Sequence, residues 1–300
     1  MAEIRTRSRP FQQVDVFSAA AYRGNPLAVV LDGAGLGQAQ MQRFAHWTNL
    51  SETTFLLPPS AAGRAAGADY RVCIFDPLSE LRFAGHPTLG SCHAWLRAGG
   101  QPQVPGLVVQ EGLVGLVKIR RADERLYFAA PTLQRSPPET ALLAQVSAAL
   151  GLAPQQIVAA QRLDNGLPWL GLLLDGADTV LQIEPDHAAL KRLGVTVGVA
   201  GRHADAVAAS SDADAYTDTP QLEVRAFAAA VEVPEDPVTG SLNASLAQWL
   251  IADGYLPARY VAAQGTRLDR AGRVAIERDA GGQVWVGGAS TTCVDGSVWL

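Results

Sequence analysis

Gly85-His86-Pro87-Thr88-Leu89-Gly90-Ser91 and Glu235-Asp236-Pro237-Val238-Thr239-Gly240-Ser241 are variations on one pattern, half the chain apart. The first follows the strand-like Arg71-Val72-Cys73-Ile74-Phe75 and leads into an apolar helix containing Ala94-Trp95-Leu96. The second follows Val224-Arg225-Ala226-Phe227 and leads into a helix containing Gln248-Trp249-Leu250. A long-period repeat of this kind predicts two similarly folded domains, each a strand-rich wrap around one apolar helix. A helix as apolar as 240–252 needs covering on several sides. His86 and Asp236 fall at equivalent positions of the repeat. Both are read as helix N-caps followed by proline at the first helical position, where a missing N–H costs nothing. Gly90 and Gly240 would keep the two helix starts uncrowded, so that open backbone donors could hold an anion such as a carboxylate.

Working outward, the first half reads as strands at 11–17 and 27–31, a helix at 41–47 broken by Asn49-Leu50-Ser51, and strands at 53–57 and 69–75. A helix ending near Arg97 and strands near 107–110, 115–120 and 126–129 complete it. The second half reads as a helix at 138–150, short strands at 157–160, 169–174, 180–183, 195–199, 213–217 and 222–227, and a short helix at 187–193. The apolar helix and strands near 260–264, 274–277 and 283–286 follow. Many short strands with few helices predict an α+β fold rather than a doubly wound sheet. The domain boundary is placed at 1–125 and 126–287, with a last strand at about 288–300 returning to the first half.

Composition narrows the function. The 300 residues suffice for about two domains with cores that need no disulfides. The chain is 48% hydrophobic and 18% charged, which is globular rather than disordered. Lys and Arg number 24 against 29 Asp and Glu, a net charge of −5, so the basic footprint of a nucleic-acid binder is missing. Cys73, Cys92 and Cys293 have no CxxC spacing, and no apolar run follows the arginines near the N-terminus, which places the expected protein in the cytoplasm. The uncharged run 140–161 is interrupted by Gly151, Pro154 and glutamines and is not a membrane span. HxH, HExxH, GxGxxG and GxxxxGK[ST] do not occur, and Asp212-Ala213-Asp214 lacks the other ligands of a calcium loop, so neither a metal nor a nucleotide cofactor is expected.

Glu52 stands where a loop becomes a strand, between apolar Leu50 and Phe55, a setting in which a partly buried carboxyl of raised pKa can transfer protons. The bland alternative is a surface or capping glutamate. Cys92, just beyond Gly90, is read as a core residue because its repeat partner is Leu242. His46 and His93 are read as ordinary helix positions.

Taken together, Asp15-Val-Phe17 with Gly24-Asn25-Pro26, Asn49-Leu-Ser-Glu52-Thr-Thr-Phe55, Phe83-Ala-Gly-His86-Pro-Thr-Leu-Gly90 and Glu235-Asp-Pro-Val-Thr-Gly-Ser241 resemble the PhzF-like phenazine-biosynthesis family. That family has the diaminopimelate-epimerase-like fold. The resemblance implies two pseudo-symmetric domains, each a β-barrel-like sheet around a central α-helix, an active site in the cleft between them, and a homodimer. It implies a catalytic set of Glu52, His86, Asp236 and Ser241, with Asn25, Gly85, Gly90 and Gly240 available to bind substrate. The implied activity is a cofactor-independent isomerisation of a small cyclic or amino carboxylic acid, similar to that of 2,3-dihydro-3-hydroxyanthranilate, with a glutamate moving a proton between carbons. Related epimerases use two facing cysteines at the two helix starts, where this chain has Gly85-His86 and Asp236. The rival readings are an amino-acid epimerase or racemase and a carboxylate-binding protein without turnover.

Overall fold

The computed structural model describes residues 6–122, 124–204 and 219–300. The chain divides into two compact units, one holding the residues up to Ala129 together with Gly287–Leu300 and the other Ala130–Val286.

The first unit contains β1 (Ser8–Val16), β2 (Asn25–Val30), α1 (Gln38–Thr48), β3 (Thr53–Leu57), α2 (Ala61–Ala65), β4 (Tyr70–Phe75), β5 (Glu80–Leu81), α3 (Gly85–Arg97), β6 (Leu107–Gly112), β7 (Gly115–Ala122), β8 (Arg125–Ala129) and the final strand β18 (Ser290–Trp299). β1 runs antiparallel to both β18 and β2. β2 is parallel to β3, β3 antiparallel to β4, β4 parallel to β6, and β6 and β8 antiparallel to β7. This sheet curls around α3, which touches β1, β2, β3, β6, β8 and β18. Consequently every residue from Gly85 to Cys92 is buried, not one stripe of the helix alone. α1 covers a second apolar cluster of Val30, Met41, Phe44, Phe55 and Phe75.

The second unit contains β9 (Gln134–Ser136), α4 (Thr140–Ala149), β10 (Ile157–Asp164), β11 (Pro168–Leu174), α5 (Ala177–Gln182), α6 (His187–Leu193), β12 (Val197–Arg202), β13 (Leu222–Ala228), β14 (Val233–Asp236), α7 (Gly240–Ala252), β15 (Arg259–Gln264) and β16 (Gly272–Arg278), and the chain leaves it along β17 (Val284–Gly288). Its pairing repeats that of the first unit: β11 is parallel to β12, β12 antiparallel to β13, β13 parallel to β15, and β15 antiparallel to β16. α7 stands in the place of α3, between the two parallel-paired strands in chain order, and is buried continuously from Leu242 to Ala247. α4, α5 and α6 add a layer over Leu170, Leu172, Val197, Val199 and Phe227. The strand β11 is therefore buried on both faces, which explains its unbroken apolar run.

The expected strand at 180–183 is corrected: Val180 lies in α5 and Ile183 caps it. Ala177 and Val180, three apart, are the buried residues of this helix, and Asp178 in its first turn suits the helix dipole. The expected strand at 213–217, with Asp212 and Asp214, lies outside the described residues. Among those described, no helix is long and apolar enough to cross a membrane.

Candidate active site

Glu52 is positioned by the end of α1. Asn49 adopts the left-handed conformation, φ 54°, and ends the helix, as asparagine tolerates better than most residues. The Thr48 and Thr53 hydroxyls, 2.9 Å apart, clamp the reversal into β3. Glu52 precedes the first strand residue, and its side chain is 17% exposed. Burial raises its carboxyl from 4.5 to about 7, the Ser51 hydroxyl pulls it back part of the way, and the negative charge of Asp76 adds to the rise.

His86 meets this carboxyl. It is the second residue of α3 and 4% exposed, and its Nε2 lies 3.2 Å from Glu52 Oε2. Its Nδ1 lies 3.4 Å from Nδ2 of Asn25, the first residue of β2. The Asn25 amide thus faces Nδ1 and the Glu52 carboxyl faces Nε2 of the same ring.

The turn that delivers Asn25 is shaped by Asp15, whose Oδ2 accepts the backbone N–H groups of Arg23 and Gly24, each at 2.7 Å. A Cβ on Gly24 would run into the Val16 carbonyl. Behind His86, Ser91 donates to the buried Thr54 hydroxyl at 2.9 Å, and Gln110, held by Tyr70 at 2.8 Å, reaches Thr88. Cys92 is fully buried and burial pushes its thiol far up, which makes it a core group rather than a nucleophile.

Two expectations about the helix starts are corrected. His86 is not an N-cap: Ala84 holds that place, the helix begins at Gly85, and no side chain caps it. Nor is Asp236 an N-cap: it ends β14, and α7 begins at Gly240 after Thr239. The repeat thus persists in sequence while the second helix begins five repeat positions later than the first. The reason is local: buried Gln264 and the Asp236 carboxyl take up the polar groups of 236–239 that a helical turn would otherwise satisfy. Gly90 consequently sits in the second turn of α3, where a Cβ would come within 2.6 Å of Leu27 and 2.8 Å of Val16. It allows close helix–strand packing and does not keep a helix start open.

In the second unit the Thr239 hydroxyl donates to Asp236 Oδ2 at 2.5 Å. Ser241, in the first turn of α7, accepts the Asn165 amide on its carbonyl at 2.9 Å and the Trp169 indole N–H on its hydroxyl at 3.4 Å. Gly240 is buried in the same turn. The structure therefore brings Glu52, His86 and Asn25 together in one unit, with Gly85 adjoining, and Asp236, Gly240 and Ser241 into one segment of the other. Sequence reading did not single out Asn165, Trp169 or Gln264, and it quoted Thr239 only as part of the repeated motif. Among the described residues, no three His, Cys, Asp or Glu side chains gather as a metal site.

A mixed sheet around a buried helix, built twice, defines the class: an α+β protein of the kind represented by a solved Bacillus anthracis phenazine biosynthesis protein of the PhzF family. The two superpose with a TM-score of 0.81 at 19% identity, over 98% of this chain and all (100%) of that one. The family described as phenazine biosynthesis-like protein matches residues 14–296, and the chain belongs to it. Among its relatives, the trans-2,3-dihydro-3-hydroxyanthranilate isomerase of Pseudomonas fluorescens is 33% identical over 81% of this chain and 80% of that protein. Antisense-enhancing sequence 1 of Schizosaccharomyces pombe is 33% identical over 97% of this chain and 98% of its own length.

Proposed function

We propose that the protein is a cofactor-independent isomerase of a small cyclic or amino carboxylic acid, in which Glu52 removes a proton from one carbon and returns it to another. The observation that carries this reading is the buried Glu52 carboxyl, raised to about 7 and 3.2 Å from His86 Nε2. A carboxyl with that pKa is populated in both protonation states near neutrality, as a group that must act in turn as base and acid requires. Ionised Glu52 takes a proton from a carbon next to a double bond, the electron pair delocalises over the conjugated system, and the same proton returns at the far carbon. The double bond moves and nothing is oxidised.

In this reading His86, with Nε2 3.2 Å from the Glu52 carboxyl, is the partner of the general base, and Asp236 and Ser241 are polar positioning groups of the reaction. Asn25 sets the imidazole, and the helix-start residues Gly85 and Gly240 offer backbone amides to a carboxylate. The class of reaction is supported by the isomerase named among the relatives, whose substrate is the first compound to try. The reading also takes the protein to be a cytoplasmic homodimer. The oligomeric state is checked by sedimentation and the location by fractionation of the native cells.

Proton NMR in D₂O tests the activity, with trans-2,3-dihydro-3-hydroxyanthranilate and a panel of small amino and cyclic carboxylic acids. Double-bond movement or deuterium uptake that vanishes in Glu52→Gln supports the reading. Inversion at a carbon next to a carboxylate would make the protein an epimerase. Silence across the panel, with ligand-dependent thermal stabilisation that survives Glu52→Gln, would make it a binding protein.

A further inference from the structure

Gln264 closes β15 with a side chain that is 0% exposed, yet all its polar contacts run to one short segment. Its Oε1 accepts the Thr239 N–H at 3.0 Å and the Asn243 amide at 2.8 Å. Its Nε2 donates to the Asp236 carbonyl at 3.0 Å and to the Thr239 hydroxyl at 2.9 Å. A carboxamide offers two donors and an acceptor with two lone pairs, so this one is fully used.

The consequence lies in the direction of one proton. A threonine hydroxyl has a single proton to give, and at Thr239 a lone pair is already taken by Gln264 N–H. The Thr239 proton therefore goes to Asp236 Oδ2, 2.5 Å away, a length typical of a hydroxyl bonded to an ionised carboxylate. We propose that Gln264 is a positioning residue for Asp236: it orients the Thr239 hydroxyl as a donor and so fixes the carboxylate that closes β14. This rests on the reading that Asp236 serves the reaction. A purely structural glutamine, filling the gap before α7, would need the same four contacts but would not depend on which way the Thr239 proton points.

Gln264→Glu separates the two. Glutamate keeps the shape and can accept from Thr239 N–H and Asn243, and once the pH is high enough to ionise it, it has no donor and draws the Thr239 proton to itself and away from Asp236. Thr239→Val removes the hydroxyl at nearly constant volume and serves should Gln264→Glu fold poorly. The first measurement is the side-chain carboxyl ¹³C resonance of Asp236 in aspartate-labelled, substrate-free protein, assigned through Asp236→Asn. The resonance is expected to move in Thr239→Val and in Gln264→Glu and to return in Thr239→Ser, which keeps the hydroxyl. A resonance that stays in its native place in Thr239→Val overturns the proposal. The second measurement is turnover of trans-2,3-dihydro-3-hydroxyanthranilate, where Thr239→Val is expected to lower kcat about tenfold with little change in KM, and to add nothing in the Asp236→Asn background. Full additivity of the two substitutions overturns action through Asp236. If Asp236→Asn keeps native turnover, or the native protein has none, the reading of Asp236 fails and the resonance alone decides the role of Gln264.

Discussion

Glu52 Oε2 and His86 Nε2 lie 3.2 Å apart, the first just ahead of a strand and the second in the opening turn of a buried helix. The carboxyl is accessible enough to meet a ligand and buried enough to titrate near neutrality. Its protonation state should govern both stability and rate.

Glu52→Gln is expected to lower turnover about 10²–10⁴-fold, the range of a lost general acid–base group, while leaving the fold intact. In the native protein kcat/KM should rise with pH and level off above about 7, where Glu52 is ionised. Steady-state rates from pH 5 to 9 check both, and an unchanged rate in the variant would remove Glu52 from the chemistry.

Stability should move in the opposite sense. With the folded carboxyl raised from 4.5 to about 7, the native state holds a proton that the unfolded chain gives up. Its contribution is fully present below about pH 4.5 and is lost as the pH rises through 7. Glu52→Gln, which carries no charge at any pH, should therefore match the native protein near pH 4.5 and exceed it by about 3 kcal/mol at pH 8.5. Urea denaturation at the two pH values measures the difference, and a gap that does not widen with pH counts against a raised pKa.

Asn25 is expected to choose the tautomer of His86. In the native protein ¹⁵N spectra should show the His86 proton on Nε2. Asn25→Asp places a carboxylate beside Nδ1, 3.4 Å from the nitrogen it replaces, and should move a proton to Nδ1 or give the imidazolium. The same spectrum in both proteins would mean that Asn25 does not set the ring.

Gly90→Ala tests close packing rather than chemistry. The new methyl group would press on Leu27 and Val16, both fully buried, and should cost about 1–3 kcal/mol in urea denaturation. A substrate contact at Gly90 would instead appear as a raised KM with stability unchanged.

Arg225 and Glu235 form a buried bidentate pair at 2.9 and 2.8 Å, and Arg225 also donates to the Ile183 and Val180 carbonyls. Arg225→Ala strands the Glu235 carboxylate and should destabilise the second unit by about 3–5 kcal/mol. Replacing both partners with apolar residues should recover part of that loss, which thermal unfolding of the single and double variants will show.

Much of this was legible along the chain because it rests on local periodicity. The repeated motif, the apolar helices and the turns at Asn49 and Gly24 are statements about neighbouring residues, and they suffice for two similarly built α+β units and for the family. The α5 segment misled because a short run such as Val180–Ile183 is apolar enough for either period, and only its packing against β12 and β13 decides. The helix starts misled because capping depends on partners far away in sequence: Gln264 fills the place of a turn before α7, and nothing comparable in sequence announces it.

By itself, then, the sequence determined the doubled α+β core with its two apolar helices, and which residues carry the family pattern. The tertiary structure alone decided that Glu52 meets His86, that Asn25 lies against the ring, and that Gln264 is buried against Asp236 and Thr239. The physical reason is that side-chain contacts between residues far apart in the chain, and the burial that shifts a carboxyl to about 7, exist only once distant segments have been brought together.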